Sequence, residues 1–324
     1  MADYEPPTIG RYFLDAMLVK AAAMAITGAV QRKEVPVTFT PGGVRATLAL
    51  DFMRDAESGR TVLAASAQEP PLRVVRAFPL ADGAALAHLH NVSGGLLGGD
   101  HLTLSVNAGE GAGVQLTTTG ATRVYRPRAS AAETMQTNEI RVAENALLEY
   151  LPDPLIPFAG ARYAQRTSIH LAPGAGLFWW EIIAPGREAR GELFQYERVE
   201  MKTDLIANGR LIAAERLRLE PRNHALSSLA RLGPYRYWAT FYICRVGLDA
   251  GAWLAAEARL REVAAGFAEP GEPLWGVSTL VADGLVVRGV ARRGRDIIAG
   301  LHALWREAKL RLYGKEAIPP RKVN

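Results

Sequence analysis

The chain has 324 residues, 49% of them hydrophobic and 22% charged. That composition excludes a largely disordered chain, and the length suits one large domain or two modest ones. The formal net charge is +5, with the basic residues scattered apart from "ARRGR" at 291–295. No basic stripe with interleaved aromatics occurs, so nucleic acid is not an expected partner.

Residues 1–43 read as an N-terminal extension. Within it "FLDAMLVKAAAMAITGAV" (13–30) resembles a signal peptide or a short membrane span. Asp15 and Lys20 interrupt it, and an apolar run of about ten residues is too short to span a bilayer. A polar, proline-bearing stretch precedes it in place of a short basic one. A helix is the expected conformation, and no membrane association is expected.

From residue 44 the pattern alternates with period two. In "VRATLALDF" (44–52) Val44, Ala46, Leu48, Leu50 and Phe52 share one face, as in a half-buried strand. "LTLSVN" (102–107) and "VQLTTT" (114–119) alternate likewise. "LFWWEII" (177–183) and "YWATFYICRV" (237–246) are continuous apolar runs and read as strands buried on both faces. The lone cysteine, Cys244, lies in the second of these runs. It excludes an intrachain disulfide, fits a reducing cytoplasm, and is expected to be a small buried hydrophobe. Asp82-Gly83, Asn208-Gly209 and Asp283-Gly284 each lie between strand-like runs and suit type I′ hairpin turns. Short antiparallel connections are therefore expected to dominate the middle of the chain.

Two helices are expected late, over 249–268 and 296–314. In the first, Trp253, Ala256, Leu260, Val263 and Phe267 recur at helical spacing behind Asp249 as N-cap. In the second, Ile297, Leu301, Leu304, Ala308 and Leu312 form one stripe, and Gly314 can close it. "LWGVSTLVADGLVVRGVA" between them reads as a hairpin. No fixed-period repeat and no linker is evident. The predicted class is mainly β, with stacked sheets and two helices in the C-terminal half.

The stretch "HNVSGGLLGGDHL" (90–102) looks at first like a phosphate loop. No lysine and no helix follow its glycines, and an aspartate stands beside them, so a P-loop or a dinucleotide fingerprint is excluded. Two readings remain: a turn where backbones approach closely, or a turn that presents Asp100 to a cation. His88 and His90 share a strand face at a spacing that suits a metal, and His101 is near in sequence. No Cys or further His completes a set, and hydrogen-bonded histidines are the simpler reading. No nucleophile elbow, zinc-protease or Cys-x-x-Cys motif occurs.

Carboxylates inside apolar runs are more informative: Glu149 in "NALLEY", Glu181 in "LFWWEII" and Glu215 in "LIAAERLRL". A buried carboxylate is costly unless paired, hydrated or coordinating. Pairing with arginine, Arg216 and Arg218 being near, and a hydrated interior passage for a divalent cation are both open. Oxygen ligands would hold nickel or zinc weakly, which favours passage over storage.

"SGGLLGGD" (93–100), "TTTGATRVYR" (117–126), "LLEYLPDPLIPFAGARY" (147–163), "WWEIIAPGREARGELF" (179–194) and "AERLRL" (214–219), in that order, resemble the UreD (UreH) family of urease accessory proteins over about 44–320, within an expected domain of 44–324. The resemblance implies a β-helix-like stack of antiparallel and mixed sheets that is a scaffold, not an enzyme. It implies UreF as partner, UreG through it, docking on apo-urease subunits, and nickel as transient cargo with no stably bound cofactor. It also implies an internal tunnel lined by Asp100, Thr122, Glu181 and Glu215, with Asp100, His101 and Glu181 as transient metal contacts. His101 departs from the residues usual in the family, as do Val92, Thr119, Arg123 and the tail "PPRKVN". The competing expectation from the residues themselves is a β-rich carbohydrate hydrolase or lyase with paired carboxylates facing an open groove.

Overall fold

Three short arcs set the architecture. "GEGA" (109–112), "AENA" (143–146) and "APGA" (172–175) each carry the chain from a strand of one sheet into a strand of a second sheet stacked on it. The third residue of each arc is left-handed: Gly111 at φ 62°, Asn145 at φ 55° and Gly174 at φ 70°. Glycine takes that conformation without a steric penalty, and asparagine tolerates it. The fourth is a buried alanine, Ala112, Ala146 or Ala175. Its carbonyl accepts from the next layer, from the amides of Leu147 (2.8 Å), Gly176 (2.8 Å) and Val246 (2.9 Å). A small side chain at this corner lets successive layers stack without a gap.

The computed structural model describes residues 31–34, 38–40, 43–128, 132–267 and 273–320. Among these residues the first sheet has nine strands and the second eleven. In the first, Gly43–Arg54, His101–Ala108, Thr134–Val142, Arg162–Leu171 and Arg198–Ala207 run parallel in that order, and Arg210–Leu219 closes one edge antiparallel. In the second, Ala85–Asn91, Gly113–Thr118, Leu147–Tyr150 and Gly176–Ile183 are parallel, followed antiparallel by Tyr237–Arg245, Gly284–Ala291 and Leu274–Thr279. From residue 85 to 207 the chain alternates between the sheets, as in a β-helix. The expectation of antiparallel connections in the middle is thus corrected: the middle is parallel, and the hairpins lie toward the ends. Alternation of apolar side chains is the same in both pairings, so it carries no information on direction.

The hairpin dipeptides are confirmed as turns, with one refinement. Only Asn208-Gly209 has both residues left-handed (φ 48° and 75°), as a type I′ turn requires; in the other two pairs only Gly83 (φ 86°) and Asp283 (φ 55°) are.

Alternating inward side chains of the two sheets form one core, including Leu48, Leu50, Leu104, Val106, Leu116, Ile140, Leu177 and Trp179. A second core fills the outer face of the second sheet, where α1 (Ala250–Ala265) and α2 (Gly294–Tyr313) pack. That is why "LFWWEII" and "YWATFYICRV" lack alternation: odd and even side chains both meet apolar neighbours. Asp249 caps α1 by accepting from the amide of Ala252 at 2.9 Å, and Gly314 closes α2 at φ 61°. Each helix stripe is in the core apart from Val263 and Phe267, which are half-buried. Cys244 is fully buried, as expected. No described helix is long and apolar enough to cross a membrane.

Residues 13–30, for which a helix is expected, lie outside the described residues. At the end of the extension Gln31–Glu34 and Thr38–Thr40 are strands that join the first sheet.

Candidate functional site

The glycine stretch is a clasp between layers. Asp100 is 3% exposed, and its two carboxylate oxygens accept from the backbone amides of Val44 (3.0 Å) and Leu97 (2.8 Å). Thr134 Oγ1 donates to the carbonyl of Leu97 at 2.8 Å, and the amide of Met135 donates to that of Asp100 at 2.7 Å. Gly43 (φ 136°) lies so close to Gly99 that a Cβ there would stand 2.2 Å from the Gly99 carbonyl carbon. The close-approach reading of the glycines therefore holds, and each Asp100 oxygen accepts from a backbone amide, one in the turn and one on the neighbouring strand. His101, next in sequence, points to the other face of its strand, into an open groove with Arg45, Thr47, Glu69 and Thr103. Burial, and then the Arg45 guanidinium, lower its pKa.

Among the described residues, two cavities lie between the sheets. The larger, ≈ 280 Å³, is lined by Thr122 together with His90, Thr118, Gln136 and Tyr150 among others. The smaller, ≈ 20 Å³, is lined by Glu181, Glu215, Thr203, Thr240 and four apolar or aromatic side chains. Of the sequence-derived candidates, then, Glu181 and Glu215 come together and Thr122 lines a separate chamber. Asp100 and His101 line neither. Among the described residues no group of three or more His, Cys, Asp or Glu side chains is placed to hold a metal ion, so Asp100, His101 and Glu181 do not form one ligand set. His90 has its pKa lowered by burial and then by His88.

A file of polar side chains connects the two chambers. Gln136 Nε2 donates to Asn138 Oδ1 (3.0 Å), and Asn138 Nδ2 to Thr167 Oγ1 (3.0 Å). Tyr163 Oη donates to Gln165 Oε1 (2.7 Å) and lies 3.2 Å from Gln136 Oε1. Gln165 Nε2 reaches Thr167 Oγ1 (3.1 Å) and donates to Glu181 Oε1 across the gap between the sheets. Strand register produces this file. Asn138, Thr167, Thr203 and Glu215 are cross-strand neighbours on the first sheet, and Glu181, Thr240 and Arg288 are neighbours on the second. Asn138, Gln165, Thr167, Thr203 and Thr240 are all buried. In a core such groups are retained only when hydrogen-bonded to each other or to water.

The two carboxylates differ. Burial pushes the Glu181 carboxyl up to about 8; Gln165 opposes the shift and the Glu215 charge adds to it. Glu215 accepts from Tyr242 Oη and from Thr240 Oγ1 (3.4 Å), and Arg288 Nη2 stands 3.6 Å from it. Arg216 and Arg218, the partners considered from sequence, instead bind Asp204 (2.5 Å) and Glu220 (2.8 Å). They alternate with Glu215 along the strand and point to its opposite face, whereas Arg288 reaches over from the other sheet.

Glu149 is a separate case. It lies on the helix side of the second sheet, 2% exposed, where Lys309 Nζ (2.6 Å) and Trp305 Nε1 (2.7 Å) of α2 bind its two oxygens. Asp82 is 3.7 Å from the same ammonium. Burial raises the Glu149 pKa and the Lys309 charge opposes it. The pairing reading holds here, with a lysine in place of an arginine.

Sequence reasoning missed Gln136, Asn138, Tyr163, Gln165 and Thr167 because it looked for charged groups. Their parity was available: in "TMQTNEIRV" and "RYAQRTSIHL" they share the face of Ile140 and Val142, or of Ile169 and Leu171.

The family model described as UreD urease accessory protein matches residues 44–324. A urease accessory protein UreD of Herpetosiphon aurantiacus is 48% identical over 276 residues, covering 85% of this chain and 95% of that protein. One of Pseudomonas paraeruginosa is 34% identical over 277 residues, 85% of this chain and 93% of its own. One of a Bacillus species is 29% identical over 283 residues, 86% of this chain and 100% of its own.

Proposed function

The chain belongs to the UreD urease accessory protein family, a non-catalytic group that takes part in urease maturation, and on that premise we propose a scaffold with a path for nickel inside it. As scaffold it joins UreF, and UreG through UreF, to the apo-urease subunits, in the cytoplasm. As path it passes nickel, held by no resident site, along the inter-sheet polar file. Thr122 lines the larger chamber, and Glu181 and Glu215 the smaller one. Asp100 is a positioning residue that keeps the turn beside the first chamber in shape.

The observation that carries the path is the file itself, a hydrogen-bonded run of polar groups from half-buried Gln136 through buried Asn138, Thr167 and Gln165 to half-buried Glu181, between two otherwise apolar sheets. Hydroxyl and amide oxygens at this spacing offer a divalent ion that has shed most of its water a succession of weak partners, which favours transit over retention. The hydrolase reading loses its ground here. A chamber of ≈ 20 Å³ between Glu181 and Glu215 has room for about one water and none for a sugar ring.

Two experiments test the halves separately. Co-purification with UreF and the urease subunits tests the scaffold, which predicts a complex that forms with or without nickel. The Asn138→Leu/Thr167→Val double variant tests the path. The variant removes the Asn138–Thr167 bond whole but leaves the Gln136 and Gln165 amides each one acceptor short, at a cost of about 1–3 kcal/mol; thermal unfolding checks that it stays folded, and the complex is expected to assemble while nickel incorporation into urease falls. Full incorporation would remove the path and leave the scaffold.

A further inference from the structure

The smaller chamber has a cationic side chain at its edge that the path itself does not account for. The row Glu181, Thr240, Arg288 crosses three adjacent strands of the second sheet in register. The next strand, Leu274–Thr279, places Gly276 opposite Arg288, so no side chain continues the row. On the facing sheet Arg210–Leu219, which carries Glu215, is the edge strand. Glu181 is therefore interior, Thr240 is buried, and Arg288, with a side chain 55% exposed, stands where the inter-sheet space meets solvent. Its guanidinium is 3.6 Å from Glu215 Oε2, whose carboxylate is otherwise steered by Tyr242 and Thr240.

We propose that Arg288 is the resident counter-ion of the Glu181–Glu215 chamber, a specificity-determining residue that occupies the solvent mouth and must release Glu215 before a divalent cation can be carried there. The inference rests on the path reading of the preceding subsection. An arginine cannot discharge itself by losing a proton at physiological pH, so it leaves only by rotating away. Being half in solvent, it can do so at small cost, because an exposed pair of this kind is weakly held. A cation that enters without displacing it meets a like charge. The consequence is a chamber whose mouth is guarded by charge, and an acidic partner surface there would open it by drawing Arg288 outward.

The test is Ni²⁺ binding to the full chain by calorimetric titration, with thermal unfolding of each variant as a control for folding. Arg288→Gln is expected to bind roughly fivefold more tightly than the parent, the size of one exposed charge pair. Arg288→Ala should repeat that gain, Arg288→Lys should match the parent, and Glu215→Gln should bind more weakly. If Glu215→Gln weakens binding while Arg288→Gln and Arg288→Ala stay at the parent value, the counter-ion role is wrong and the path survives. If Arg288→Lys tightens binding as much as Arg288→Gln, shape and not charge is responsible, and the proposal falls. If Glu215→Gln and Arg288→Gln both behave as the parent, the ion does not meet this chamber and both readings fall.

Discussion

Glu181 of one sheet and Glu215 of the other line the same ≈ 20 Å³ cavity, and their surroundings set them apart. Glu215 has hydroxyl donors and a guanidinium beside it, whereas Glu181 has the Gln165 amide and a buried setting that pushes it up to about 8. A Glu181 carboxyl pushed up to about 8 is expected to keep its proton at neutral pH, which spares the core a second negative charge beside Glu215. A divalent ion in the chamber would expel that proton, so occupancy should rise with pH.

The raised Glu181 pKa predicts a pH dependence of stability. A carboxyl whose pKa is higher in the folded than in the unfolded state favours folding below the unfolded value, and that contribution is lost as pH rises through the folded one. Between about pH 4.5 and 8 the parent should lose stability relative to Glu181→Gln, by at most about 5 kcal/mol. Denaturant unfolding of both proteins at a series of pH values measures the difference. Parallel profiles would show that Glu181 ionises normally.

Asp100 should matter to folding before it matters to metal. Asp100→Ala removes the acceptors of two part-buried backbone amides, and is expected to cost about 1–3 kcal/mol of stability, read as a lower denaturation midpoint. Any loss of urease activation should follow from that. Unchanged stability with lost activation would instead place Asp100 on the path.

The buried Lys309–Glu149 pair fastens α2 to the second sheet. Lys309→Met leaves a carboxylate without its counter-charge and is expected to cost about 3–5 kcal/mol. Adding Glu149→Gln should recover much of this, because the double variant buries no net charge. A double-mutant cycle by urea unfolding gives the coupling, and additive losses would contradict it.

Much of this fold is legible in the sequence, for reasons that particular residues make plain. Asn208-Gly209 announces its hairpin because both positions need φ > 0. The stripe from Ile297 to Leu312 announces α2 because only one face of it is buried. The layered repeat is harder to see. Its arcs share a left-handed third residue and a buried alanine, but the return segments differ in length: register pairs His101 with Met135, Thr134 with Tyr163, and Arg162 with Arg198. A structure that repeats in space without a fixed step in sequence leaves no period to detect. The site was legible as carboxylates in apolar runs, and Glu181 and Glu215 justify that signal. Asp100 does not belong with them because backbone amides are invisible as partners in a sequence. Arg288 was missed because its contact with Glu215 spans two sheets.

If nickel travels between the sheets past Glu181 and Glu215, its delivery depends on both carboxylates. The most direct test is the nickel content of urease matured with the Glu181→Gln/Glu215→Gln variant, in the presence of UreF, UreG and the urease subunits. The complex should assemble as with the parent, and the urease should hold at least tenfold less nickel. Urease loaded to the parent level by that variant would contradict that route.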